Sequence, residues 1–188
     1  RQSGAPLNTT TAESATYKVG LLEDTLTILG YAADGTTYDI NGLYNAAGNS
    51  EATSLDWGTA ANIVTSVNNT IALLLADNIT PPYNLVVNPT QYAQTLPLIA
   101  NTAVSYRQWV EQSLMGGEFM WSPTITAGTG MMTKANPEGM FELVLAEDLS
   151  VETETTSVKE GGNLFGRVYV RGLPVVYDSN AISKMTTI

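Results

Sequence analysis

Two adjacent carboxylate pairs, Glu23-Asp24 and Glu147-Asp148, are the residues best suited to chemistry in this chain. Paired carboxylates can exchange a proton or hold a hard cation. Neighbours on a helix point about 100° apart, so Glu23 and Asp24 do not converge on one atom without a third group. The pair reads as a solvated helix face, the usual fate of charged residues, and Glu147-Asp148 reads as a turn ahead of a strand. The chain has no His and no Cys, which removes the commonest metal ligand, the usual general base near neutral pH, thiolate sites and disulfides. A serine nucleophile would have to use Lys18, Lys134, Lys159 or Lys184, and none stands at a recognisable spacing from a serine motif. Gly128-Thr129-Gly130 lacks the third glycine, the following helix and the lysine of a nucleotide-binding loop, and reads as a turn. Trp57, Trp109 and Trp121, with Met115, Met120, Met131 and Met132, could line a pocket or a partner surface, but core packing is the commoner use. No catalytic, cofactor-binding or metal-ligating residue is therefore assigned, and the expectation is a protein that is not an enzyme and needs no cofactor.

Composition narrows the alternatives. The net charge is −10, with only eight Lys plus Arg, whereas a nucleic-acid surface needs clustered cations to release counterions. The longest apolar run, Ile71 to Ala76, is far below the roughly 18 residues of a membrane span. Arg1 to Pro6 lacks the basic and apolar regions of a signal peptide, so the compartment is left open. Asn8, Asn68 and Asn78 begin Asn-X-Thr triplets, which the abundance of Asn and Thr accounts for.

The elements that would position these residues follow from periodicity and punctuation. Thr10-Thr11-Ala12-Glu13 has the form of a capping box, and Ala15, Val19, Leu22, Leu26 and Leu29 line one stripe of a long helix ending at Gly30. Residues 31 to 55 read as an irregular connection rich in turn formers, with a hairpin at Asn41-Gly42 as one option. Asp56 is expected to cap a second helix with Ile63, Val67, Ile71 and Leu74 on its buried face. Thr80-Pro81-Pro82 stops that helix and leads into a buried strand, Tyr83 to Val87. Asn88 and Pro89 then open a short helix as N-cap and first residue. Ser105 caps another helix that closes at Gly116-Gly117. From Glu118 onward short β-rich runs dominate: Phe119 to Trp121, Met131 to Lys134, Phe141 to Leu145, Val151 to Val158, Leu164 to Val170 and Val175 to Tyr177, separated by Gly and Pro breakers, Gly172 among them. A short tail ends the chain.

The order of these pieces carries a resemblance. A long helix with "EDTL" near its end is followed by "INGL", a helix, and "PPYNLVVNPTQYAQTL". Another helix to "GG" comes next, then "SPTITAGTGMM", "FELVLAEDLSVE" and "LFGRVYVRGLPVVYDSNAI". The series, from about Pro6 to Ile182, resembles the shell proteins of the Hong Kong 97 fold, the tailed-virus major capsid proteins and the related encapsulins. The resemblance implies an α+β capsid fold with a long spine helix, a peripheral β-rich region and a compact α/β axial domain. It divides the chain into residues 1–55 (end of an extended loop, spine helix and connection), 56–135 (axial domain) and 136–188 (β-rich return strands shared between the two). It implies a major capsid protein that self-assembles, through pentamers with or without hexamers, into an icosahedral viral shell. The shell would enclose a genome without sequence-specific binding or a membrane, placing the protein in the virion, assembled in the host cytoplasm. An encapsulin-like nanocompartment around a cargo enzyme is the alternative, and a small α/β ligand-binding or enzyme domain using the Trp and Met residues is a third. Family members carry an N-terminal arm and an extended hairpin loop before the long helix, and almost nothing precedes Pro6. No intersubunit lysine crosslink is expected, and no cargo-binding residue is carried over.

Overall fold

The computed structural model describes residues 9–33, 35, 37–155 and 164–188. Helix α1 (Thr9–Ile28) is followed by the two-residue strands β1 (Gly30–Tyr31) and β2 (Ile40–Asn41), the single turn α2 (Leu43–Ala46) and strand β3 (Asn49–Glu51). Then come α3 (Ala60–Ala76), β4 (Tyr83–Val87), α4 (Pro89–Gln94), α5 (Tyr106–Ser113), β5 (Phe119–Trp121) and β6 (Thr129–Lys134). Two long strands, β7 (Phe141–Thr155) and β8 (Leu164–Val176), a 3₁₀ turn at Ser179–Ala181 and β9 (Ile182–Thr186) complete the chain.

The five-stranded central sheet has the order β3-β9-β6-β4-β5. Its alternating side chains separate two apolar layers, as the pleat requires. Tyr83, Leu85 and Val87 of β4, Met132 of β6 and Met185 of β9 meet Ile63, Val67 and Leu74 of α3 and Val110 of α5. Met131 and Ile182, one residue out of phase with these, face the other way and meet Ile28 of α1 and Ile125. Each fully buried aliphatic side chain contributes about 1.5–3 kcal/mol, so the first layer dominates stability. Trp57 joins it with its ring nitrogen donating to Ser66 Oγ at 2.7 Å, which satisfies the one polar atom that burial would strand.

Expectation and structure agree closely from α3 to β6. Ile63, Val67, Ile71 and Leu74 form the buried face of α3. Asn88 caps α4, accepting from Thr90 N at 3.0 Å, with Pro89 first in the helix. Ser105 caps α5 in a full capping box with Gln108.

Elsewhere the structure corrects the sequence reading. The N-cap of α3 is Thr59, while Asp56 accepts from the backbone of Gly58 and holds the turn before the helix. Asn41-Gly42 is no hairpin turn: β2 ends there and pairs with β1 across the intervening loop. Asn49–Glu51, placed in an irregular connection, runs parallel to β9 as an edge strand. The final tail contains β9, a central strand between β3 and β6. The runs from Phe141 to Val158 are one strand over the described residues, and those from Leu164 to Val176 another, with Tyr177 just past its end; they pair antiparallel as a long hairpin. Gly172 does not break β8 but faces Leu145 within it; a Cβ there would press on the Leu145 side chain. The Gly161-Gly162 expectation lies outside the described residues.

The turn at Gly128, with φ of +79°, is held by Gln91. This buried amide accepts from Gly128 N at 3.0 Å and donates to the Ile188 carbonyl at 3.3 Å. Gln91→Leu keeps the volume but strands both backbone groups. It is expected to destabilise the fold by about 1–3 kcal/mol, read as a lower urea midpoint at unchanged slope; an unchanged midpoint would show that the two bonds add nothing.

Candidate interaction surface

The groups singled out for chemistry do not converge. Glu23 and Asp24 diverge as helix geometry requires, but the pair is not simply a solvated face. Asp24 is half-buried, and its Oδ2 accepts from Ser122 Oγ at 3.0 Å and from Thr124 Oγ1 at 2.7 Å. Glu23 instead borders a small cleft lined by Leu22, Leu26, Leu143 and Leu145. Glu147-Asp148 is not a turn ahead of a strand: it lies inside β7, where the register with β8 shifts on both sides of Glu147. Such bulges re-aim side chains locally. Glu147 Oε1 accepts from the Tyr169 hydroxyl at 2.9 Å, and Arg171 stands 3.4 Å from Oε2. The guanidinium groups of Arg167 and Arg171 lie 5.2 and 5.5 Å from the centre of the Tyr169 ring. This cluster braces the exposed hairpin, and an ion pair so open to water contributes at most about 1 kcal/mol.

The aromatic and sulfur residues also part company. Trp57, Met131 and Met132 are core, Trp109 packs partly against it, and Met115, Met120 and Trp121 are exposed on and around the edge strand β5. Tyrosine shifts point away from neutral-pH chemistry. Burial raises Tyr83, and it raises Tyr44 against the opposing pull of a hydrogen bond with Thr129. The hydrogen bond to Glu142 raises Tyr177. Among the described residues, no three of His, Cys, Asp and Glu are grouped so as to hold a metal ion, and no helix is long and apolar enough to cross a membrane.

What the surface does present is apolar. The expected stripe of α1 is only partly covered: Leu22 is 66% exposed and Ala15, Val19, Leu26 and Leu29 are half-buried, while Ile28, outside that stripe, is buried at the helix end and Tyr17, also outside it, is 72% exposed. The reason is length, since α1 lies against β8 and, near its end, against α2 and β1. Leu143, Val144, Leu145 and Leu173 of the hairpin are also exposed, as are Leu96 and Leu98 in the loop between α4 and α5. An open cleft of about 560 Å³ at the end of α1 adds Leu26, Leu29, Tyr31, Tyr38 and Ile40. The residues of α1 and the hairpin adjoin one another across the small cleft, which shares Leu22 and Leu26 with the open one, and adjoining exposed apolar residues of this kind are typical of interaction sites or ligand grooves.

Residues 1–160 match the Linocin_M18 family, described as encapsulating protein for peroxidase. The chain belongs to this family. No curated protein matches it. Among solved structures, this Linocin_M18 chain superposes on the capsid of Myoviridae phage XM1 with a TM-score of 0.81 at 14% identity, covering 98% of this chain and 66% of that one. For the virus-like particle from Pyrococcus furiosus the values are 0.65 and 15%, covering 88% and 63%. For the capsid of the empty GTA particle they are 0.62 and 15%, covering 98% and 67%. Likeness at these identities establishes the fold, and the fold is that of the Hong Kong 97 shell proteins. The Linocin_M18 chain spans just under two thirds of the length of the first two. The apolar surfaces of α1 and the hairpin had no counterpart in the motif reading, because an interface is a distribution of exposed residues, not a spacing. The one available signal was the narrow stripe on a helix too long for it.

Proposed function

We propose that the chain is a major capsid protein, a wall subunit that self-assembles into an icosahedral viral shell around a genome. The observation that carries this reading is the overlay of 98% of this chain on 66% of a phage capsid chain, joined to apolar residues left exposed along α1 and the hairpin. On this reading residues 1–55 belong to a peripheral domain, 56–135 form the axial domain and 136–188 are return strands shared by both. Copies of the same chain are the partners, the virion is the location, and function resides in interfaces without catalysis. The acidic balance suits a wall that encloses nucleic acid without gripping it.

The family match favours a second reading, a nanocompartment around a cargo enzyme. Expression of the full gene, followed by negative-stain microscopy and analysis of the particle contents, tests both. Closed shells holding DNA support the capsid, and shells enriched in one co-purifying protein support the compartment. Monodisperse monomers under every assembly condition would sink both.

A further inference from the structure

We infer that Asp24 is a positioning residue, which holds the spine helix α1 at a fixed angle to the central sheet and thereby sets the angle between neighbouring subunits. The second half of this inference rests on the shell reading; the first rests on geometry alone. Asp24 and Ile28 stand four residues apart on α1, hence one above the other on a single face. Both grip the same turn. Asp24 Oδ2 accepts the hydroxyls of Ser122 and Thr124 at 3.0 and 2.7 Å, and Ile28 is buried in one cluster with Ile125.

That turn is itself anchored to the sheet. Ser122 N donates to the Val87 carbonyl at 3.0 Å, and Asn88 Nδ2 donates to the Ile125 carbonyl at 2.6 Å while its Oδ1 caps α4. A continuous chain of short contacts therefore runs from the C-terminal end of α1, through residues 122–125, to the junction of β4 and α4. Two attachment points one helical turn apart fix direction as well as position, which a single contact would not. A carboxylate accepting two hydroxyls at one oxygen is also directional and stronger than a neutral pair, whereas the apolar contact at Ile28 tolerates sliding.

The test compares full-length protein with Asp24→Ala, with Ser122→Ala plus Thr124→Val, and with all three changes. Amide exchange is read on unassembled subunits and diameter on assembled particles. Either set of changes is expected to speed exchange across residues 21–28 and 122–126 about tenfold. The combined variant should be no worse than the Ser122/Thr124 set alone, because that set already removes both bonds to Asp24, and with them the bond from Thr124 N to Ser122 Oγ inside the turn. Particles should show a broadened or shifted diameter. Unchanged exchange in these two segments, or lower overall stability with wild-type diameters, would overturn the inference. Should Asp24→Ala fail to fold, the Ser122/Thr124 pair, which leaves the helix intact, decides the question. A wild-type protein that forms no particles would remove the shell reading, and the exchange result would then decide the clamp on its own.

Discussion

Leu22→Gln combined with Leu145→Thr is expected to leave the subunit folded and to raise the concentration needed for assembly about a hundredfold or more, from the loss of two leucine burials. Leu22 and Leu145 line the same small cleft between α1 and the hairpin, and they are 66% and 45% exposed in the single chain. Exposed substitutions of this kind usually shift stability by no more than about 0.5 kcal/mol. In an assembled wall the parts of the two leucines still exposed would gain roughly 0.7–2 kcal/mol each from burial, and the polar replacements lose that gain while bringing groups that burial would strand. A closed shell repeats the loss at every subunit. Urea denaturation checks the fold, and size-exclusion chromatography with microscopy across a concentration series checks assembly. Normal particle yield at the wild-type concentration would mean that this face lies outside the wall contacts.

The largest effect on folding is expected from Gly117→Ala. Gly117 follows the last turn of α5 and passes directly over β4. A Cβ there would overlap the carbonyl oxygen of Tyr83 and stand 3.0 Å from its nitrogen. Neither side can retreat, because β4 is held between β5 and β6 and the Tyr83 side chain is wholly buried. A loss of about 4 kcal/mol or more is expected, a large share of a typical total of about 5–15 kcal/mol. Gly116→Ala is the internal comparison. Its site is open in space but has φ of +98°, so backbone strain alone operates and costs about 1–3 kcal/mol. Equal losses for the two, read from urea midpoints, would show that the close approach at Gly117 does not constrain the fold.

Local signals made the segment from Ile63 to Trp121 legible in the sequence. Asn88-Pro89 and Ser105 are caps whose chemistry acts within four residues, and Tyr83 to Val87 is buried whatever its partners. The tail was opaque for the opposite reason. Ser183 and Lys184 interrupt the apolar run of β9, and the strand exists because β3 and β6 flank it. Glu147-Asp148 misled because a bulge lets acidic residues continue a strand that they would otherwise end. Asp24 misled because its partners lie about a hundred residues further along. Two hydroxyls around Pro123 were the only hint, and a helix carboxylate near such a pair in space cannot be paired with it by spacing. The resemblance, carried by the order of elements, supplied what no local pattern could.

The place of β9 in the sheet also orders events in time. Its neighbours β3 and β6 are complete by residues 51 and 134, yet the gap between them stays open until residue 186 has emerged from the ribosome. At synthesis rates of about 5–20 residues per second, that is a wait of roughly three to ten seconds after β6 has been made. During that wait, the layer at Met132 lacks Met185 and the layer on the opposite face, at Met131, lacks Ile182. Synthesis itself thus keeps a nascent subunit from presenting a finished sheet to its neighbours.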